Sequence, residues 1–199
     1  MKQLSIGFLL ATAIIFSSCN NQNRNAEDRV EDTTDVRQED RRTDQRADER
    51  KEVRVVMEAK SGSSLEGEAV FVQENGEVTL TANFSGLSEG THAIHLHENA
   101  DCSAEDGTSA GGHWNPTFEN HGKWGADEGY HKGDIGNFEV DADGNGSITF
   151  STDEWCIGCE DDTKNIIGTS LIVHDGVDDY TSQPAGNAGT RIGCAVIEL

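Results

Sequence analysis

His95 and His97 stand two residues apart in an apolar run, and in an extended strand that spacing sends both imidazoles to the same face, as two ligands of one ion require. The chain has 7 histidines, all between positions 92 and 174. His92 is an odd number of residues from the other two and points elsewhere, so it is read as a hydrogen-bonded structural histidine. His113, His121, His131 and Asp134 follow, interleaved with Gly111, Gly112, Gly122, Gly125, Gly129 and Gly133, whose backbone freedom lets a loop turn ligands inward. Three imidazoles and one carboxylate match the donors of a tetrahedral zinc, and with all four bound no position is left for water. His174 closes the apolar run Ile172-Val173 and completes a second set with His95 and His97. Imidazole-rich sites with little sulfur suit copper or zinc, and copper brings redox chemistry.

The elements that must position these residues read as short strands. β-type runs recur at 53–59, 68–73, 77–84, 92–97, 137–141, 147–151, 166–174 and 195–199, separated by turn residues. Alternation such as Val78, Leu80, Ala82, Phe84 buries one face of a strand, and no stretch shows sustained helical periodicity. The expectation is an all-β sandwich or barrel. Its rhythm is broken only by the long segment 98–136, and a loop of that length in a compact domain is usually functional. Asp141, Asp143, Asn145 and Gly146 imitate the start of a calcium-binding loop, but the closing glutamate is replaced by Thr152 and no flanking helices are expected, so 143–146 is read as a hairpin turn.

Around this domain the chain carries extensions. Of 199 residues, 1–18 read as an export signal: Lys2, an apolar run from Leu4 to Phe16 too short to span a bilayer stably, then Ser17 and Ser18. Ser18-Cys19 resembles a bacterial lipoprotein cleavage site, with Cys19 as the lipidated residue. The segment 19–52 is almost free of apolar residues and reads as a charged tether, leaving 53–199 as the domain. Between Val53 and Leu199 the cations are Arg54, Lys60, Lys123, Lys132, Lys164 and Arg191, so most of the formal net charge of −22 lies there. Nucleic acid is excluded as a partner, because phosphate binding needs a basic face; membrane contact is expected through the N-terminal lipid alone. The location expected is the bacterial cell envelope, periplasmic or surface-facing, and a homodimer is left open. Of 5 cysteines, Cys102, Cys156, Cys159 and Cys194 remain in the domain, an even set whose three pairings spacing does not distinguish.

Five segments carry a family resemblance: Gly90-Thr-His-Ala-Ile-His-Leu-His-Glu98, Ser109-Ala-Gly-Gly-His-Trp-Asn-Pro116, His131-Lys-Gly-Asp-Ile-Gly-Asn137, Leu171-Ile-Val-His-Asp175 and Gly186-Asn-Ala-Gly-Thr-Arg-Ile-Gly-Cys194. The chain resembles an extracytoplasmic copper/zinc superoxide dismutase. The resemblance implies an eight-stranded Greek-key β-barrel with copper held by His95, His97, His113 and His174, and zinc by His113, His121, His131 and Asp134. His113 would then be shared by both ions. Asp178 matches the carboxylate that links His95 to His121, Cys102 and Cys194 match the family's disulfide, and Arg191 matches the arginine that guides superoxide to copper. His113 and Arg191 are thereby the catalytic residues, the former leaving copper to take a proton in the cuprous half of the cycle.

Two features depart from that pattern. The segment 179–190 has no lysine, where relatives often place cations, so capture of the anion is expected to be slower or less dependent on salt than in a strongly steered enzyme. Trp155-Cys156-Ile157-Gly158-Cys159 has thioredoxin-like spacing without the strand-helix setting of that motif, and reads as a local disulfide ahead of an accessory metal or redox site. A metal-scavenging lipoprotein without turnover is the rival reading, disfavoured by Arg191 and Asp178. A copper-only dismutase is disfavoured by the presence of His121, His131 and Asp134.

Overall fold

The computed structural model describes residues 50–199; the export signal, Cys19 and the tether up to position 49 lie outside the described residues. Nine strands form one sheet: β1 (Lys51–Val56), β2 (Glu58–Ala59), β3 (Glu66–Glu74), β4 (Glu77–Ser85), β5 (Gly90–His97), β6 (Gly136–Val140), β7 (Gly146–Thr152), β8 (Thr169–His174) and β9 (Arg191–Ile197). Their order is β1-β3-β4-β7-β6-β5-β8-β9-β2, and every ladder is antiparallel. Only Met57 separates β1, paired with β3 at one edge, from β2, paired with β9 at the other, so one interrupted strand closes the barrel. Counting β1 and β2 as that single strand recovers the eight expected. Strands β4 to β7 stand in the order β4-β7-β6-β5, the Greek-key arrangement in which the chain passes over the end of the barrel between β4 and β5. Lys51 and Glu52, expected in the tether, pair with Gln73 and Val72 and belong to the barrel.

Local chemistry explains the corners. Asn75 and Gly76 join β3 to β4 with φ of 53° and 81°, the two positive values that a type I′ hairpin turn requires. The β6–β7 connection is the hairpin turn expected: the Asp141 carboxylate accepts from the backbone N–H of Asp143 and Asn145, and Gly144 takes φ 81°. Along β4, Val78, Leu80, Ala82 and Phe84 are buried while the residues between them face outward. They pack with Phe71, Ile94, Leu96, Phe138, Leu171, Val173 and Ile197 into the barrel core.

β5 and β8 differ, because both of their faces are buried. Ile94, Leu96, Leu171 and Val173 fill the barrel, whereas His95, His97, Ile172 and His174 point outward beneath covering loops. The loop 98–135 is stitched back onto β5 by main-chain bonds from Leu96 N to Gly133 O and Trp114 N to Leu96 O, with a bridge between His97 and His113. A methyl group on Gly133 would strike the Leu96 carbonyl and the Trp114 nitrogen, so this close approach admits only glycine. The loop 175–190 joins β8 to β9. The strand bounds also move: β8 starts at Thr169 rather than Ile166, and β9 at Arg191 rather than Ala195, which places Arg191 opposite His174 in the ladder.

Candidate metal centre

The two outward faces and the two loops bring seven side chains together. His95 and His97 come from β5, His174 from the end of β8, His113, His121, His131 and Asp134 from the loop 98–135, and all seven are buried. They form two groups, each with its ligand atoms within 4.8 Å of one another: His95, His97, His113 and His174, and His113, His121, His131 and Asp134. His113 alone is in both. His92 stays apart, as its register in β5 predicts; its Nδ1 donates to the carbonyl of His174 at 2.8 Å and its Nε2 lies 3.2 Å from the Ser88 hydroxyl, so it braces a neighbour of the site.

Every ring of the two groups except that of His131 is aimed by a hydrogen bond on one nitrogen, which leaves the other free. His97 Nδ1 donates to the Gly111 carbonyl at 3.0 Å and His174 Nδ1 to the Gly189 carbonyl at 3.3 Å. His95 Nε2 and His121 Nε2 donate to the two oxygens of Asp178 at 2.8 and 2.9 Å. The nitrogens left over are His95 Nδ1, His97 Nε2, His174 Nε2 and His121 Nδ1, and together with His113 Nε2 and His131 Nδ1 they are buried without a hydrogen-bond partner. A buried polar atom without a partner costs about 1–3 kcal/mol, and six converging ones are what a metal-ligand set looks like when the donor sites are arranged for cations rather than for each other. His121 Nδ1 and His131 Nδ1 lie 3.0 and 3.3 Å from Asp134 oxygens but are not aligned for hydrogen bonding, as expected of ligands that face a common centre. The donor sets fit: four imidazoles in one group, three imidazoles and a carboxylate in the other.

The ionisation of these groups follows from their setting. Burial drives His97 and His174 well below the ordinary histidine value, with neighbouring histidines and Arg191 pushing the same way. His113 falls to about 4, burial again dominating over the Asp134 carboxylate that favours its charged form. Burial also opposes charge on Asp134 and Asp178, but the hydrogen bond from His113 and the close imidazoles of His121 and His131 at the first, and the hydrogen bonds from His121 and His95 at the second, outweigh it and hold both carboxyls ionised.

Arg191, half-buried at the start of β9, is fixed by two carbonyls: Nη1 donates to Gly107 at 2.8 Å and Nη2 to Gly111 at 2.7 Å. The loop holding those carbonyls is tied to β9 by the Cys102–Cys194 disulfide, whose Cα atoms are 5.8 Å apart. Cys156 and Cys159 form the second disulfide, which settles the open pairing.

Sequence reasoning missed several positioning residues. Gln183 reaches across from the 175–190 loop to bond both backbone groups of His121, at 2.9 and 2.8 Å. Asn137 does the same for Asp178, each bond 2.9 Å long. Gly186, with φ 62°, lies where a Cβ would collide with the Asp178 carboxylate and press on His121. Gly186 stands in the glycine-containing segment 186–189, and that glycine was the available signal; nothing local marks Gln183.

A closed antiparallel barrel with two imidazole-rich groups sharing one ring defines a paired-metal protein. The comparisons agree on which. A family model described as copper/zinc superoxide dismutase (SODC) matches residues 65–197. A relative named superoxide dismutase (Cu-Zn) 2 from Aquifex aeolicus (strain VF5) is 38% identical over 136 residues, covering 66% of this chain and 78% of the relative. Superoxide dismutase (Cu-Zn) from Botryotinia fuckeliana is 37% identical over 158 residues, covering 74% and 98%. Among solved structures, that of the clock protein EA4 superposes with a TM-score of 0.65 at 30% identity, covering 74% of this chain and 93% of the other. The chain belongs to the copper/zinc superoxide dismutase family, and copper and zinc are its cofactors.

Proposed function

We propose that the protein dismutes superoxide to dioxygen and hydrogen peroxide, with copper in the group of His95, His97, His113 and His174, and zinc in the group of His113, His121, His131 and Asp134. The observation that carries this reading is the set of six unpartnered buried nitrogens, which divides into two convergent groups with His113 in common. When bound, copper would supply one-electron exchange with superoxide and zinc a fixed positive charge.

The protein's own groups do the rest. Arg191 binds and orients the anion: two of its N–H groups are committed to Gly107 and Gly111, which fixes the plane of the guanidinium while other donors remain for superoxide. After burial and the neighbouring histidines, its charge also lowers the basicity of His97 and His174, so a cation stands beside the four-histidine group. His113 Nε2 is the atom that takes and releases a proton, while its Nδ1 remains on the side of Asp134 at 2.8 Å. Asp178 fixes the tautomers of His95 and His121 together, so neither group can reorient alone.

We also infer export and lipid attachment at Cys19, from the apolar run Leu4 to Phe16 ahead of Ser18-Cys19. Two disulfides in the folded domain support an oxidising compartment. The test of function joins metal content to turnover. Protein carrying one copper and one zinc per chain is expected to accelerate superoxide decay, His174→Ala to abolish the effect and Arg191→Ala to reduce it. Metal-replete protein that leaves decay at its spontaneous rate would instead support a metal-scavenging role.

A further inference from the structure

The Cys156–Cys159 loop has no role in the chemistry described so far, yet it grips the segment that carries half of the three-histidine group. The Glu154 carboxylate accepts from the Tyr130 hydroxyl at 2.7 Å and pairs with the Lys132 ammonium. The Trp155 indole N–H donates to the Lys132 carbonyl at 2.7 Å. Lys132 stands between His131 and Asp134, so all three contacts bear on the short stretch that delivers two ligands. That stretch lies outside the named strands; main-chain bonds at Gly133 tie it to Leu96 and Trp114, and the contacts of Glu154 and Trp155 fix Tyr130 and Lys132 on either side of His131.

Trp155 is suited to this because it is itself immobile. It is 1% exposed and packed against Phe150, Trp124 and Phe71, with ring centroids 5.1, 5.9 and 6.3 Å away. Trp124 in turn stacks on Tyr130 at 4.9 Å. The following residues are fastened on every side. Cys156 bonds to Cys159 and exchanges main-chain bonds with Lys164 and Ile166, the Ile157 carbonyl accepts from Lys51 Nζ at 2.7 Å, and the Ile157 N–H donates to Gln73 Oε1 at 2.7 Å.

We propose that Glu154 and Trp155, held in place by the Cys156–Cys159 disulfide, are positioning residues for the zinc ligands His131 and Asp134, and that the disulfide thereby sets how firmly zinc is retained. This rests on the assignment of zinc to that group. The clamp acts on one group of the pair: among the described residues its hydrogen bonds reach 130–132 and none reaches His95, His97 or His174.

The test compares the metal-loaded parent with Trp155→Phe, which keeps the aromatic packing and removes the indole donor, and with Cys159→Ser, which opens the disulfide. Val55→Ala, a core variant that makes none of these contacts, serves as a control for general loss of stability. Zinc transfer to a chromophoric chelator is followed at a fixed temperature below the melting range, and cobalt(II) placed in the zinc group reports ligand geometry through its visible absorption. Trp155→Phe and Cys159→Ser are each expected to speed zinc loss by about three- to tenfold, below the usual effect of a residue bonded directly to a ligand ring, and to alter the cobalt spectrum. Val55→Ala should do neither. Unchanged zinc loss in the two loop variants, or equal acceleration in Val55→Ala, would overturn the inference while leaving the function intact. A parent chain whose zinc does not occupy this group would overturn both.

Discussion

His97 and Arg191 end on the same atom: His97 Nδ1 and Arg191 Nη2 both donate to the carbonyl oxygen of Gly111, at 3.0 and 2.7 Å. One ring of the four-histidine group and the Arg191 guanidinium are thus aligned by a single peptide unit. Gly111 has φ 79°, a backbone geometry that favours glycine, and a side chain there would strike Glu98 and Asn99. Because that peptide belongs to the loop tied by Cys102–Cys194, the orientations of His97 and Arg191 share one mechanical support.

It follows that the charge of Arg191 is not sufficient by itself. Arg191→Lys keeps the charge but cannot span Gly107 and Gly111 as the planar fork does. The rate of dismutation per bound copper should fall by about tenfold, less than the roughly 10²–10³-fold loss for removing a preorganised donor outright, because the charge is kept. Copper content measured on the same samples should be unchanged; full activity in Arg191→Lys would show that geometry at this position is irrelevant.

Asp178 bonds to one ring of each group and belongs to neither. In Asp178→Asn one oxygen is replaced by an N–H donor, which faces a ring nitrogen that also carries a proton, so one of His95 and His121 must turn. Affinity for both metals should drop by about 10- to 100-fold, as when partners of metal-bound rings are removed. Chelator competition measured separately for copper and zinc checks this. Gly186→Ala should produce the zinc half of the same defect, because its added methyl would occupy space held by the Asp178 carboxylate.

Metal-free protein should have a stability that peaks near neutrality. Burial holds His97, His174 and His113 below their unfolded value of about 6.5, His113 at about 4. The folded state therefore binds fewer protons there, and its stability is lost as pH falls from about 6.5 toward those values. His121 acts in the opposite sense. Burial lowers it, but the Asp134 carboxylate 3.0 Å away and the hydrogen bond to Asp178 prevail and raise it to about 9, so its contribution is complete below about 6.5 and is lost as pH rises from there through about 9. Thermal melting of metal-free protein should give lower midpoints at pH 5 and pH 9 than near 6.5–7, and a midpoint rising steadily across that range would contradict this.

Ionic strength tests the charge distribution. The segment 179–190 contains no cation, and Asp179 is occupied in bonding its own loop at Thr181 and Ser182. With screening over about 8–10 Å at ordinary ionic strength, Arg191 attracts superoxide only close to the site. The rate should change little between low and physiological salt, whereas a steep decline would reveal long-range steering.

Much of this site was legible in the chain because β-strand parity is a strict rule. His95 and His97 had to share a face, Val78 to Phe84 had to bury one, and His92 had to point away; the structure shows each of these. The ligands in the loop were legible by type but not by position, since nothing in the spacing of His113, His121 and His131 states how a loop folds. Their grouping, the shared His113 included, came from resemblance, and the structure brings β5 and the loop together around that ring. Gln183 and the clamp of Glu154 and Trp155 act from distant segments through ordinary hydrogen bonds, which have no local signature. The split of the first strand at Met57 was illegible for a related reason: which edge a strand pairs with depends on barrel closure, not on its own residues.

The central claim is that one imidazole, that of His113, serves both ions, and magnetic resonance tests it most directly. Protein with copper(II) in the four-histidine group and cobalt(II) in place of zinc should lose most of its copper electron paramagnetic resonance signal, because a common ligand couples the two spins, while His113→Ala should restore an uncoupled signal. An undiminished copper signal in the doubly loaded parent would contradict the account.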